Sequence, residues 1–123
     1  MSTFAQAREL NANEKALIDF LLTADFPGRD ELRDQLGQVQ VLGDCDCGCG
    51  TVSLSVPGAA VRADAREPIP VEAYNEDGSL SVLLFVREGM LASLEIVDYV
   101  GGRGYPTPAK LSLWVPPPPR QKP

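Results

Sequence analysis

The sequence predicts an α+β fold in which two N-terminal helices pack on a mostly antiparallel meander sheet. In the N-terminal third, apolar side chains recur at helical spacing, whereas later segments alternate apolar and polar residues with the period of two typical of strands. Residues that favour turns separate these alternating segments. The chain of 123 residues is long enough to bury a core as one domain.

Capping residues indicate where the helices begin and end. Asn11 can cap the first helix, and Glu14 stands where a capping box requires an acidic partner. Pro27 and Gly28 interrupt the apolar pattern, which resumes in the segment RDELRDQL. Gly37 is placed to end this second helix.

From Val39 onward the pattern predicts strands. The segments are QVQVL, TVSLSV, IPVEAY, SLSVLLFV, MLASLEIVDYV and a short strand at residues 111–115. Because proline cannot donate to a ladder, Pro68 and Pro70 place IPVEAY at a sheet edge or at the start of a strand. The run SVLLFV is apolar at consecutive positions, which predicts a central strand covered on both faces.

The domain organisation follows from composition. Residues 1–115 are predicted to form a single α+β domain, and residues 116–123 a proline-rich C-terminal tail. A proline run can act as a polyproline ligand. At a terminus beside Arg120 and Lys122, a stiff solvated end is the favoured interpretation.

Charge limits the classes of partner. The chain has 17 acidic and 11 basic residues, a net charge of −6, and its arginines are scattered among acids. Nucleic acid is therefore not an expected ligand, since its recognition requires clustered basic side chains. A protein partner is expected to be basic, although a moderate acidic excess also serves solubility alone.

The N-terminal sequence points to the cytoplasm. Charged residues interrupt the segment where a signal peptide would need an apolar stretch, and no segment has the length of a membrane span. We therefore expect a cytoplasmic protein without a membrane partner, whose thiols stay reduced.

Catalysis is not expected. The sequence contains no histidine, which removes the commonest general base, and GGRG lacks the lysine and hydroxyl residue of a phosphate loop. Glu72, Glu95 and Asp98 lie on predicted strands and are the remaining candidates for acid–base work. Carboxylates at such spacing usually face solvent.

All three cysteines lie in the segment GDCDCGCG, at Cys45, Cys47 and Cys49. In an extended chain they would share one face, so that their thiolates could converge on zinc or copper. A fourth ligand is missing, and the spacing differs from that of structural zinc sites. The alternatives are a tight turn containing buried, apolar thiols, which is slightly favoured, and regulated thiol chemistry.

The order of the segments also resembles that of a known group of proteins. LIDFLLTADFPGRDELRDQL, then the cysteine stretch and GTVSLSV, then DGSLSVLLFVREGMLASLEIVDY is similar to a family of small bacterial proteins, widespread in actinobacteria, that carry a domain of unknown function. Its G-x-L-x-x-L-E motif is present as Gly89, Leu91, Leu94 and Glu95. The resemblance implies no catalytic residues. A weaker resemblance to small acidic immunity-type proteins implies binding to a toxin.

Two functions are consistent with these observations. The first is a non-enzymatic, acidic protein-binding module, with an immunity-like neutraliser of a basic partner as its sharpest form. The alternative is a thiolate metal-binding or metal- or redox-responsive protein that uses Cys45, Cys47 and Cys49. The sequence leaves the partner, the metal, the oligomeric state and the physiological process open.

Overall fold

A computed structural model describes residues 7–44, 50–57, 61–65, 67–103 and 105–117. Within these ranges the chain forms two α-helices, one short 3-10 helix and six strands, so the predicted α+β class is confirmed. The helices are α1 (Ala12–Leu21), α2 (Arg29–Gln35) and the 3-10 turn Pro108–Lys110, and the strands are β1 (Gln40–Asp44), β2 (Val52–Ser55), β3 (Val71–Tyr74), β4 (Leu80–Arg87), β5 (Met90–Asp98) and β6 (Ser112–Trp114). The predicted domain limit at residue 115 stays a prediction, and residues 118–123 of the tail lie outside the described residues.

The strands form one antiparallel sheet in the order β1-β2-β5-β4-β3-β6. Strands β3, β4 and β5 are consecutive neighbours and form the expected meander. The outer strands depart from it, since β2 pairs with β5 and β6 pairs with β3. The two central strands are therefore β4 and β5.

The capping box predicted for α1 is present. The Asn11 side chain accepts a hydrogen bond from the Glu14 backbone N–H at 2.8 Å, and the Glu14 carboxylate accepts one from the Asn11 N–H at 2.8 Å. Arg8 donates to both oxygens of the same carboxylate, which is only 3% exposed. The Arg8 guanidinium therefore lowers the pKa of Glu14, against the opposing effect of burial.

The hydrophobic core lies between the helices and one face of the sheet. Helix α1 contacts β3, and helix α2 contacts β5. Alternate residues of the strands supply the sheet side of this core, as the period of two requires. Its completely or almost completely buried side chains include Leu17, Ile18, Leu21, Leu32, Val41, Val52, Val71, Val82, Leu84, Leu91 and Leu94.

One polar side chain, Gln35, is buried at the end of α2 and links the helix to the sheet. Its amide nitrogen donates to the carbonyl oxygens of Gly89 at 2.8 Å and Val61 at 3.0 Å. Its amide oxygen accepts from the Leu91 N–H at 3.0 Å. Since these bonds use both donors of the amide and its acceptor, the polar group is compatible with burial.

A tight turn joins the two central strands. Glu88 and Gly89 have φ angles of 53° and 77°, the pattern of a type I′ hairpin turn, between the paired residues Arg87 and Met90. A Cβ atom on Gly89 would lie 2.6 Å from the carbonyl oxygen of Ala63. Gly89 is therefore required both by the backbone conformation and by the close approach of the segment 61–65.

The prolines before β3 do not place it at an edge. Strand β3 pairs with β4 on one side and with β6 on the other. The strand begins at Val71, after Pro68 and Pro70, so no proline interrupts its ladder. The alternative in which the prolines mark a strand start is the correct one, and the edge is formed by β6.

The prediction that β4 is central is confirmed, but the prediction that both of its faces are covered is wrong. Val82 and Leu84 are fully buried in the hydrophobic core. Leu83 and Phe85, on the opposite face, are only half-buried. One face of the sheet centre is therefore partly accessible to solvent.

Candidate functional site

The face of the sheet opposite the core, termed here the open face, presents a row of side chains that crosses four strands. Leu83 on β4 is paired with Glu95 on β5 and with Glu72 on β3, and Glu72 is paired with Trp114 on β6. Residues directly opposite each other project to the same face of a sheet. We call these four residues the central row.

The central row combines apolar and acidic groups. Since neighbouring strands are about 4.8 Å apart, the backbones of Glu95 and Glu72 are separated by about 10 Å, with Leu83 between them. The two glutamates and Leu83 are half-buried, and Trp114 at the end of the row is 45% exposed. A ligand on this row would meet two carboxylates that flank an apolar side chain.

A groove adjoins the central row on the side of the β4–β5 turn. Phe85, Ser93 and Ser53 are paired across β4, β5 and β2, and the small serines leave space between larger apolar residues. The groove has a volume of about 840 Å³, and its lining includes Glu95 and Leu42, which is 49% exposed. Its shape therefore admits the side chains of a partner protein.

The basic residues of this groove lie away from the central row. Arg87 is at the turn end of β4, four positions from Leu83, which corresponds to about 13 Å along a strand. Arg62 donates to the backbone carbonyl of Glu88 at 3.2 Å, at the same end. Among the described residues, neither glutamate of the central row forms an ion pair with a basic side chain.

The two glutamates differ in their hydrogen bonding. The Tyr74 hydroxyl, on the same face of β3, donates to the Glu72 carboxylate, and this bond raises the pKa of Tyr74 to about 12. In the part of the chain that the structure describes, the Glu95 carboxylate has neither a hydrogen bond nor an ion pair. Glu95 is therefore a half-buried residue whose carboxylate is not paired with another side chain or backbone group in the described ranges.

Asp98, the third candidate carboxylate, is part of a different structure. Its carboxylate accepts hydrogen bonds from the backbone N–H groups of Val100 and Gly101 at 3.1 and 2.9 Å, and from Arg103 Nε at 2.9 Å. The Arg103 guanidinium holds the pKa of Asp98 well below its usual range. Asp98 therefore stabilises the loop after β5, and it does not join the two glutamates.

The other candidate site falls outside the described residues. Cys45, Cys47 and Cys49 belong to the segment between Asp44 and Val52, whose backbones are paired across β1 and β2. Among the residues that the structure does describe, no group of three acidic, cysteine or histidine side chains is placed to hold a metal ion. The metal site predicted from the cysteines stays a prediction.

The open face was not predicted from the sequence. The run SVLLFV was interpreted as a strand covered on both faces, although the neighbouring segment ASLEIV indicates that one sheet face is polar. In that segment Ser93 and Glu95 alternate with Leu94 and Ile96, which belong to the core. Because paired residues on neighbouring strands share a face, this alternation indicates a sheet face that is exposed to solvent or covered by a partner.

No family model matches the chain, and neither a curated protein nor a solved structure matches it. The resemblance to the actinobacterial family stays a prediction. Within the described ranges, neither helix has the length and apolar character required to cross a bilayer.

Proposed function

We propose that this protein is a non-enzymatic, cytoplasmic binding module whose open face docks on a basic protein. The observation that carries the proposal is Glu95, a half-buried residue on the central row whose carboxylate has no hydrogen bond or ion pair among the described residues. When a partner covers the open face and excludes water, this charge requires another charge or a hydrogen bond to compensate it. A lysine or arginine from a partner would supply that compensation when the complex forms.

The rest of the open face supports a protein rather than a small ligand. Its half-exposed Leu83 and Phe85, the exposed Trp114 and the nearby serines resemble the mixture of apolar anchors and polar groups in non-obligate interfaces. The net charge of −6 would attract a basic protein over longer distances and accelerate association at low salt. An immunity-like neutraliser is the sharpest form of this proposal.

The arrangement of the acids favours binding over acid–base catalysis. Leu83 lies between Glu72 and Glu95, so that a substrate bond between the two carboxylates would meet an apolar side chain. The Glu72 carboxylate already accepts a hydrogen bond from Tyr74. A charged side chain reaching each carboxylate from above the sheet is compatible with both features.

The test compares one substitution on the open face with a control elsewhere. Wild-type protein, Leu83→Ser and Ala16→Ser are immobilised, and the proteins retained from the native cytosol are identified by quantitative mass spectrometry. Ala16 is the control because it is exposed and lies on helix α1, which packs on the covered side of the sheet. We expect wild-type protein and Ala16→Ser to retain the same basic protein, and Leu83→Ser to lose it.

Salt dependence completes this test. Binding of the purified partner should weaken, and its association rate should fall, as the salt concentration rises. Circular dichroism establishes that Leu83→Ser is folded. An acidic partner, binding that is insensitive to salt, or equal retention by a folded Leu83→Ser variant would contradict the proposal.

The second candidate function is thiolate metal binding. It is favoured by Cys45, Cys47 and Cys49 at alternate positions between the paired strands β1 and β2. Protein purified without chelator would then carry about one zinc or copper ion per chain or per dimer. Cys47→Ser should abolish this content, as measured by elemental analysis. Metal-free wild-type protein would contradict the metal function and leave the protein-binding proposal unaffected.

A further inference from the structure

We propose that the open face recognises an α-helix that carries two cationic side chains two turns apart and an apolar side chain between them. The helix would lie along the central row, across β5, β4 and β3. This inference rests on the proposed binding function and specifies the chemistry of the partner. The observations that support the inference are the pairing of the strands, the spacing of Glu72 and Glu95, and the position of Leu83.

The pairing of the strands favours a helical partner over an extended one. At the central row, β4 is paired with β3 and β5, and β3 is also paired with β6. The backbone N–H and C=O groups of these strands are therefore used within the sheet. An extended segment placed on this face would find no backbone partners, whereas a helix satisfies its own.

The spacing of the carboxylates matches the helical repeat. Glu95 and Glu72 are about 10 Å apart across two strand spacings. Residues two turns apart on a helix face are separated by about 10.5 Å along its axis. The residue one turn after the first cation would face Leu83. The residue one turn after the second cation would approach Trp114. The sequence of contacts is cation, apolar, cation.

The same charges argue against a second copy of this chain as the occupant. A symmetric dimer through the open face would bring Glu95 and Glu72 of one copy against the same row of the other. Each copy has a net charge of −6, so its whole-protein field would also oppose the contact. Complementary charge therefore selects a basic helix.

The inference is tested with three synthetic peptides and full-length protein labelled with ¹⁵N. The first peptide is an alanine-rich helix with two lysines two turns apart and a leucine between them on the same face. The second has the same composition with the lysines on opposite faces, and the third is the first with a central proline that prevents helix formation. Affinity is measured by calorimetry, and the contact surface by amide chemical shifts.

We expect the first peptide to bind about three- to fivefold more tightly than the second, which can form only one of the two ion pairs. It should bind at least about tenfold more tightly than the third, whose proline disrupts the alignment of both lysines and the leucine. The shifted amides should belong to β3, β4 and β5. Glu95→Gln and Glu72→Gln should each weaken binding by about three- to fivefold. Glu76→Gln is the matched control, since it removes the same charge from an exposed turn, and it should leave binding unchanged.

The outcomes separate this inference from the proposed function. Equal binding of the three peptides, or amide shifts confined to residues outside β3, β4 and β5, would overturn the helix inference, as would a protein that dimerises through the open face in sedimentation. If a natural basic partner nevertheless depends on Leu83, the proposed function stands. If no basic protein depends on the open face, both fail.

Discussion

Leu83 and Leu84 are neighbours on the same strand, and their surroundings show how differently the two faces of the sheet are used. Leu84 is completely buried in the hydrophobic core. Leu83 is half-buried between Glu72 and Glu95. The residue type is the same, so the difference lies in what covers each side chain. The fold requires an apolar residue at position 84, whereas position 83 is partly accessible to solvent.

The polar groups of the two faces show the same contrast. On the covered side, the buried Gln35 uses its amide in three hydrogen bonds to the backbone. On the open face, the Glu95 carboxylate has no partner within the described residues. A fold normally compensates the polar groups that it buries. The hydrogen bonds of the described residues therefore give no structural reason for a carboxylate at position 95.

The largest expected difference between the faces is the effect of removing a leucine side chain. Leu84→Ala should reduce the free energy of unfolding by about 2–5 kcal/mol, because the side chain is fully buried and leaves a cavity. Leu83→Ala should cost about 1 kcal/mol or less, since that side chain already contacts solvent. Urea denaturation of both variants measures the two values. Equal losses would show that the open face is part of the core.

The next largest effect concerns the turn between the central strands. Gly89 and Gly78 both have positive φ angles, 77° and 75°. Gly89→Ala should cost about 1–3 kcal/mol more than Gly78→Ala, because its Cβ would overlap the backbone of the segment 61–65. Gly78 has no atom within 4 Å of the corresponding position and serves as the matched control. Thermal unfolding that ranks the two variants equally would contradict this packing.

Local signals explain most of what the sequence predicted correctly. The capping box of Asn11 and Glu14 and the strand start after Pro68 and Pro70 depend on residues that are close in the chain. The pairing of β2 with β5 depends on contacts between distant residues, and no local pattern specifies it. The open face was missed for the same reason, since only the packing shows that Leu83 is half-buried while Leu84 is fully buried. The central row then follows from strand pairing.

A smaller effect on the covered side is a pH dependence that Glu14 introduces. The pKa of Glu14 is lowered from its ordinary value of 4.5, mainly by hydrogen bonds from Arg8. Because the folded state has the lower pKa, its stabilisation is complete above pH 4.5 and is lost as the pH falls through the folded pKa. Glu14→Gln should therefore be less stable than wild-type protein by about 1 kcal/mol at neutral pH, with a smaller difference in acid.

Melting temperatures measured between neutral and acidic pH test this dependence. Asp19→Asn is the control, because its ion pair with Lys15 lies on the surface, with half of the Asp19 side chain exposed. That variant should follow the wild-type pH profile. A Glu14→Gln variant whose deficit grows in acid would contradict the sign of the predicted shift.

The smallest effect is expected on the open face, and its sign is opposite to that of the core substitutions. Glu95→Thr should increase the free energy of unfolding by about 0.5–1 kcal/mol, since it removes an uncompensated carboxylate and introduces a residue that favours strands. Glu72→Thr should bring no gain, because the Tyr74 hydroxyl would lose its acceptor. Chemical denaturation of both variants, with binding of a basic helical peptide measured in parallel, tests the contrast. A Glu95→Thr variant that is more stable but binds less tightly would mean that Glu95 favours binding at the expense of stability. A loss of stability above about 1 kcal/mol would instead show that Glu95 stabilises the fold, as the core residues on the other face do.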